Sequence, residues 1–456
     1  MDWLSVIPPI VAIAVVLWRK EVIAALLLGI FASEVLQLAF AWYSPGAATI
    51  NTVERVVGVF NSPDNTRILI FSLMIGALLA FIRLSGGVAA TVDSIVNKGV
   101  AKNGKHASLL TSAVGGVIFV ESNLSVLTAG ILARGLFDRF GLSRAKLAYI
   151  IDSTSAPVCI LILLNGWGAF VLVLLSQYEF NMPAVQVLWG TVWLNFYALV
   201  TLVIVLWSSA TQRWFGPMAS SPAGVGLDVH LEEHVVASKP RFMVIPLLVM
   251  ILGMIGFMLW TGDGSLADGS GSKSVLYATT LATLVAYFQM LASRRFGHKQ
   301  LVKIAMQGMG DLLPLVAIVL LSLALGRSLG DLGTGAFIAN IVGGNLPNFL
   351  IPATLFLAGG LISFSTGTSW GTFAILIPLG MPLALSLDLP PSLLLAAILG
   401  GGVFGDHCSP ISDTTAVSAI ASGCDLLEHV RTQLPYALVG GTIALIMYVM
   451  AGLVML

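Results

Sequence analysis

Two uninterrupted runs, 242–260 and 434–456, contain no Asp, Glu, Lys or Arg. A helix of about 20 apolar residues crosses the hydrocarbon layer of a bilayer. The runs lack the alternation of an outer-membrane barrel strand. Ten further apolar segments lie near 4–18, 21–42, 66–85, 107–133, 145–177, 187–210, 274–292, 308–329, 349–385 and 392–421. The chain is 57% hydrophobic and 10% charged, against about 25% charged in soluble domains. Its 22 basic and 22 acidic residues cancel. That balance leaves no basic stripe for nucleic acid and too little charge for disorder. Cys159, Cys408 and Cys424 show no metal-site spacing and no disulfide framework. An all-α polytopic membrane protein is expected.

Basic residues decide which segments cross. Lys98, Lys102 and Lys105 precede segment 107–133, and Arg134, Arg139, Arg144 and Lys146 follow it. Cytoplasmic loops collect Lys and Arg. A crossing segment would put one cluster outside, whereas a re-entrant hairpin keeps both inside. Treating 349–385 in the same way gives ten spans, two re-entrant hairpins and both termini outside. Arg19, Lys20, Arg83, Arg213, Lys239, Arg241, Arg294, Arg295, Lys299, Lys303 and Arg431 then also lie inside, so 18 of 22 basic residues share one side. Arg55, Arg67, Lys273 and Arg327 lie outside. Twelve ordinary spans would break the charge rule in the middle of the chain. The start, MDWLSVIPP, has no basic region and is expected to open the first span rather than a signal peptide.

Shifting the chain by 244 residues lays Gly115–Thr128 over Gly359–Thr372 without a gap, with five of fourteen positions identical. Asp152-Ser-Thr-Ser155 matches Asp406-His-Cys-Ser409 at an offset of 254. The expected domains are therefore two inverted repeats, 1–210 and 241–456, joined by a cytoplasmic linker, 211–240. Each repeat has five transmembrane helices plus one re-entrant hairpin, with interrupted helices at the midplane. Secondary transporters build alternating access from such repeats.

Polar backbone at membrane depth survives only when buried in protein or lining a wet cavity. Four stretches qualify: Glu121-Ser122-Asn123, Asp152 through Pro157, Ser363 through Ser369, and Gly400 through Thr415. Pro157 and Pro410 each remove a helix hydrogen bond. Freed carbonyls, hydroxyls and a carboxylate are hard oxygen ligands suited to a small cation. Candidate cation- and proton-binding residues are Asp152, Asp406, Asp413, Ser122, Asn123, Ser153, Ser155, Thr366, Thr368, Ser369, Ser409 and Ser412. Cation sites are expected at the Asp152 and Asp406 breaks. Glu121, Glu34 and His407 are candidates for a proton path, because intramembrane ionisable groups mark ion and proton routes. A carboxylate that holds a cation cannot also hold a proton, so one alternately exposed site exchanges them.

Duller roles stand beside these. Glu34 could pair with an internal Arg. Asp413 could cap the following helix, and Glu121 the second arm of the first hairpin. His407 could be a satisfied hydrogen-bond partner. Asn123, Asn165, Thr368 and Trp370 could instead contact a small organic solute. A channel would not explain the paired hairpins. The six His are scattered and form no metal set with Cys, so no enzyme and no cofactor are expected.

Gly405-Asp-His-Cys-Ser-Pro-Ile-Ser-Asp-Thr-Thr415, with Ser363-Phe-Ser-Thr-Gly-Thr-Ser-Trp-Gly-Thr372, resembles the signature of the NhaC-type Na⁺/H⁺ antiporters, part of the ion transporter superfamily. The resemblance implies Na⁺ or Li⁺ leaving in exchange for entering protons across a bacterial inner membrane. It also implies an elevator-like movement and a homodimer. Some relatives exchange malate against lactate, and others carry amino acids. The Ser122-Asn123 pair resembles the Ser-Asn-Thr hairpin tip of dicarboxylate/Na⁺ symporters, with Leu124 in the third place.

Overall fold

The computed structural model describes residues 2–19, 21–39, 45–87, 90, 102–119, 122–163, 165–222, 238–265 and 269–455. Most of the expected linker, 223–237, lies outside them, as does Glu121. Among the described residues every regular element is helical. The first half runs α1 (Ile7–Arg19), α2 (Val22–Ala39), α3 (Pro45–Gly58), α4 (Pro63–Leu84), α5 (Gly104–Val117), α6 (Ser122–Arg139), α7 (Arg144–Ser153), α8 (Ala156–Leu161), α9 (Gly166–Leu175), α10 (Ala184–Gly190) and α11 (Phe196–Thr211). The second half runs α12 (Arg241–Thr261), α13 (Gly271–Ala292), α14 (His298–Asp311), α15 (Leu313–Asp331), α16 (Thr334–Asn345), α17 (Ile351–Thr366), α18 (Ser369–Ser386), α19 (Pro391–Cys408), α20 (Asp413–Ser422) and α21 (Leu426–Met455). Nine described helices are long and apolar enough to cross a membrane, or ten if the bent pair 144–161 and 166–175 is one span. Those nine include both α17 and α18. The chain is a multi-pass membrane protein.

Local chemistry sets the breaks. Ser62 accepts a hydrogen bond from Asn65 N and Pro63 follows it, which starts α4. Asn103 caps α5 in the same way. Gly367 has φ +69° and turns the chain between α17 and α18. Only glycine takes that conformation without strain. Ser412 caps α20, and Gly423, at φ +71°, ends it.

The two expected hairpins are helix–turn–helix pairs packed on a broken helix. In the second half, Phe356 stacks on Phe404 with ring centroids 5.4 Å apart. Farther along the same two helices, Ser409 Oγ donates to Phe364 O at 2.7 Å. These contacts run α17 parallel to α19. Ser369 lies against Asp406, Phe373 against Gly402 and Gly380 against Ile398, so α18 runs antiparallel to α19. Glycines make this closeness possible. A Cβ on Gly401 would collide with Phe356 O, and one on Gly405 with Gly360 O.

The first half repeats the arrangement. Gly104 packs on Leu142 and Gly115 on Thr154, so α5 runs parallel to α7. Ser155 Oγ donates to Ser122 O at 2.7 Å, while Asp138 at the other end of α6 binds Arg144. α6 is therefore antiparallel to α7. The corresponding serines act alike: Ser155 N lies 3.2 Å from Asp152 O, and Ser409 N lies 3.2 Å from Asp406 O. The halves interlock through α20, which packs on α6 and α7. Arg134 Nε donates to Ala421 O and Arg144 Nη1 to Ser422 O, both at 2.7 Å. These cations satisfy the carbonyls at the negative end of α20.

Candidate functional site

Asp406 is buried in the last turn of α19. Ser412 Oγ donates to its Oδ1 at 2.6 Å and Ser369 Oγ to its Oδ2 at 2.8 Å. Four helix ends meet here. The C-termini of α17 and α19 bring carbonyls that their own helices leave without donors. The N-termini of α18 and α20 bring positive dipole ends that favour a carboxylate. Ser412 serves twice, since its Oγ also accepts from Thr415 N at 3.3 Å and so starts α20. Thr414 Oγ1 lies 3.0 Å from the same hydroxyl. The turn of the second hairpin is tied in through Gly367 O, which accepts from Asp413 N at 3.4 Å. Thr366 and Thr368 flank that turn and are half-buried, with Thr366 Oγ1 donating to Ile362 O. Asp413 is exposed on the first turn of α20, and its Oδ1 accepts from Thr414 N at 2.8 Å. Ser412, not Asp413, is the cap. This group can present a carboxylate, hydroxyls and backbone carbonyls to a small cation.

Asp152 lies at the matching break with a different lining. Gln433 Nε2 donates to Asp152 Oδ2 at 2.6 Å and also to His407 O at 3.0 Å. One amide thus connects the two breaks. His429 Nε2 stands 3.4 Å from Asp152 Oδ2, within ion-pair distance but not aligned as a hydrogen bond. His407 Nδ1 is 3.0 Å from Tyr197 Oη. Ser122, Ser153 and Ser155 are buried beside this break. Asn123 borders a separate open cavity with Arg83 and Asp311, which lie 3.7 Å apart.

Glu34 lies elsewhere, between α2, α3 and α15. Its Oε1 accepts from Arg55 Nε at 2.8 Å and from Ser328 Oγ at 3.2 Å. Arg55 also binds Asp331. The internal arginine raised as a partner for Glu34 is therefore Arg55. Asn165 has its amide committed: Nδ2 donates to Phe119 O and Cys159 O, and Oδ1 accepts from Trp167 N and Gly168 N. Trp370 packs between Trp167 and Phe170, each with ring centroids 5.0 Å away.

Sequence reasoning missed His429, Gln433 and Tyr197. The first two are four residues apart in a mostly apolar helix. That spacing puts them on one helix face, a signal that was there to be used. Tyr197 is brought in only by tertiary packing.

Residues 158–453 match the model of the Na⁺/H⁺ antiporter family. An uncharacterised protein of Haemophilus influenzae is 31% identical over 98% of this chain and 90% of its own length. The malate-2H⁺/Na⁺-lactate antiporter of Bacillus subtilis is 31% identical over 38% of this chain and 37% of its own. Among solved structures, the YdaH transporter of Alcanivorax borkumensis shares the fold at a TM-score of 0.61 and 13% identity, covering 89% of each chain.

Proposed function

The chain belongs to the Na⁺/H⁺ antiporter family, and from that premise we propose that it exchanges Na⁺ for protons, with Asp406 holding the cation. The observation that carries this is the Asp406 carboxylate, buried where four helix ends meet and held on both oxygens by serine hydroxyls. A lone buried carboxylate is costly unless a proton or a cation compensates it. Ser369 and Ser412 have oxygens that can turn to a bound cation, and the second lone pairs of the end carbonyls of α17 and α19 can add to a hard-oxygen shell. Li⁺ asks for the same ligands.

Alternating access fits the hairpin-on-broken-helix unit present in each half. In this reading 1–210 and 241–456 are inverted repeats, and 211–240 is a cytoplasmic linker. The hairpin-bearing units move elevator-like against the remaining helices, in a homodimer of a bacterial inner membrane with both termini outside.

The test is flux in proteoliposomes with an imposed pH gradient. Added Na⁺ should dissipate the gradient in wild type and fail to do so in Asp406→Asn. An unchanged response in that variant defeats the assignment.

A second reading is coupled transport of a small organic solute. It is favoured by the open cavity where Asn123 meets Arg83 and Asp311, since a guanidinium and an amide can hold a carboxylate. The Bacillus relative's named activity points the same way. Thermal stabilisation screened over amino acids and organic acids separates the readings, because a Na⁺-dependent hit would make simple exchange a side activity.

A further inference from the structure

Unpartnered buried polar atoms are rare in folded proteins, and each calls for a physical reason. Five of them fall in one cluster here: Asp152 Oδ1, Gln433 Oε1, His429 Nδ1 and Nε2, and His407 Nε2. All four side chains are buried. The hydrogen bond from Gln433 to Asp152 is short, yet Asp152 Oδ1 and Gln433 Oε1 have no donor. Neutral His429 and His407 each carry one N–H and one bare nitrogen, and none of their unpartnered nitrogens bonds these two oxygens. A proton on Asp152 turns an acceptor that has no donor into a donor facing the other acceptors of the cluster. A proton on His429 turns the 3.4 Å approach to Asp152 into an attractive pair of opposite charges.

A route to the cluster is built into α21. Asp425, His429 and Gln433 follow at four-residue intervals, each about 6 Å further along the axis. Asp425 is exposed and caps the helix, its Oδ1 accepting from Leu427 N and Glu428 N at 3.0 Å each. His429 is one turn inside, and Gln433 one turn deeper. Beyond Gln433 a small cavity is lined by Tyr149, Ser153, Tyr197, His407, Gln433 and Tyr436.

We propose that Asp152 and His429, joined by Gln433, form the proton-carrying site, loaded from the exposed start of α21 and separate from the cation-holding Asp406. This rests on the exchange reading above. The cation and the proton then occupy different carboxylates, linked by the Gln433 amide that holds Asp152 and the carbonyl of His407 together. The titratable groups around the pair are Tyr149 from α7, His407 from α19 and Tyr197 from α11. Asp406 and Asp413 lie across the break, and Glu428 and Tyr436 lie on α21 itself. Among the described residues His429 is the one basic side chain within 4 Å of an Asp152 carboxylate oxygen.

Two measurements on the full-length protein test this. The first is pH-jump difference infrared spectroscopy without Na⁺, which reads carboxyl and imidazole protonation whatever the cargo. Wild type and Asp406→Asn should share one carboxyl-plus-imidazole signal, missing from Asp152→Asn and reduced to the carboxyl part in His429→Gln. The second is the pH profile of Na⁺-driven proton flux. His429→Gln should move its midpoint by about one pH unit, while Na⁺ still raises the melting temperature of Asp152→Asn. Size-exclusion profiles confirm folding, and Gln433→Glu supplies a second variant that alters the same signal. The proposal is overturned if Asp152→Asn and His429→Gln keep the wild-type infrared signal, or if Asp406→Asn abolishes it. A wild type without Na⁺-driven flux, but with the infrared signal as expected, sinks the exchange reading and leaves the proton site standing.

Discussion

Ser369 and Ser412 provide a graded test of the Asp406 site. Each gives the carboxylate one hydroxyl, at 2.8 and 2.6 Å. A hydrogen bond to a charged group contributes about 1.5–3 kcal/mol, or about 10- to 150-fold in a binding constant. Ser369→Ala should weaken Na⁺ binding within that range. Ser412 also caps α20 through Thr415 N, so its two duties have to be separated. Ala at an N-cap costs about 1 kcal/mol of helix stability, and Gly only a few tenths. Ser412→Gly should therefore match Ser369→Ala in Na⁺ affinity and keep near-wild-type stability, while Ser412→Ala loses both. The assay is Na⁺-dependent thermal stabilisation, giving a half-saturating concentration and a Na⁺-free melting temperature for each variant. Half-saturation within twofold of wild type in both Ser369→Ala and Ser412→Gly would refute Asp406 as the cation ligand.

Gly405→Ala should push α17 away from α19, because the new methyl meets Gly360 O. Overpacking of this kind costs about 1–3 kcal/mol, and it should appear as a lower melting temperature and weaker Na⁺ stabilisation together. Asn165→Ala removes four hydrogen bonds inside the protein and should lower stability with or without any organic acid present. A loss confined to solute response would instead make it a ligand contact. Glu34→Gln should leave the half-saturating Na⁺ concentration within about twofold, because Glu34 is committed to Arg55 and Ser328 between α2, α3 and α15 and takes no part in the Asp406 site.

The architecture was legible because the bilayer imposes simple rules. Apolar length marked most of the long helices. The breaks after Asp152 and Asp406 were legible from Pro157 and Pro410. The partners of Asp152 were not, since Gln433 lies 281 positions away and no local spacing encodes that contact. Glu34 shows the reverse difficulty. An acid in an apolar helix suggests a pathway until its cation is located, and Arg55 arrives on α3, a helix too short and too polar to stand out among the spans.

The two breaks share a backbone plan but not a lining, and this bears on stoichiometry. At the offset that aligns Asp152 with Asp406, Ser412 corresponds to Val158, Asp413 to Cys159, Thr414 to Ile160 and Thr415 to Leu161. These four positions carry hydroxyls or a carboxylate after Asp406 and apolar or sulfur side chains after Asp152, while Ser409 keeps its counterpart in Ser155. At the hairpin offset Ser369 corresponds to Ser125, whose Oγ donates within its own hairpin to Gly115 O at 2.8 Å. Asp152 therefore lacks counterparts of the Ser412 and Ser369 hydroxyls that hold the Asp406 carboxylate, and glutamine and histidine stand in their place. One cation per chain is the expected outcome. Equilibrium dialysis with radioactive Na⁺ should return one bound ion in wild type, one in Asp152→Asn and none in Asp406→Asn. Two ions in wild type, with one lost in each variant, would show that the breaks are chemically equivalent despite their linings and would overturn the division of labour between them.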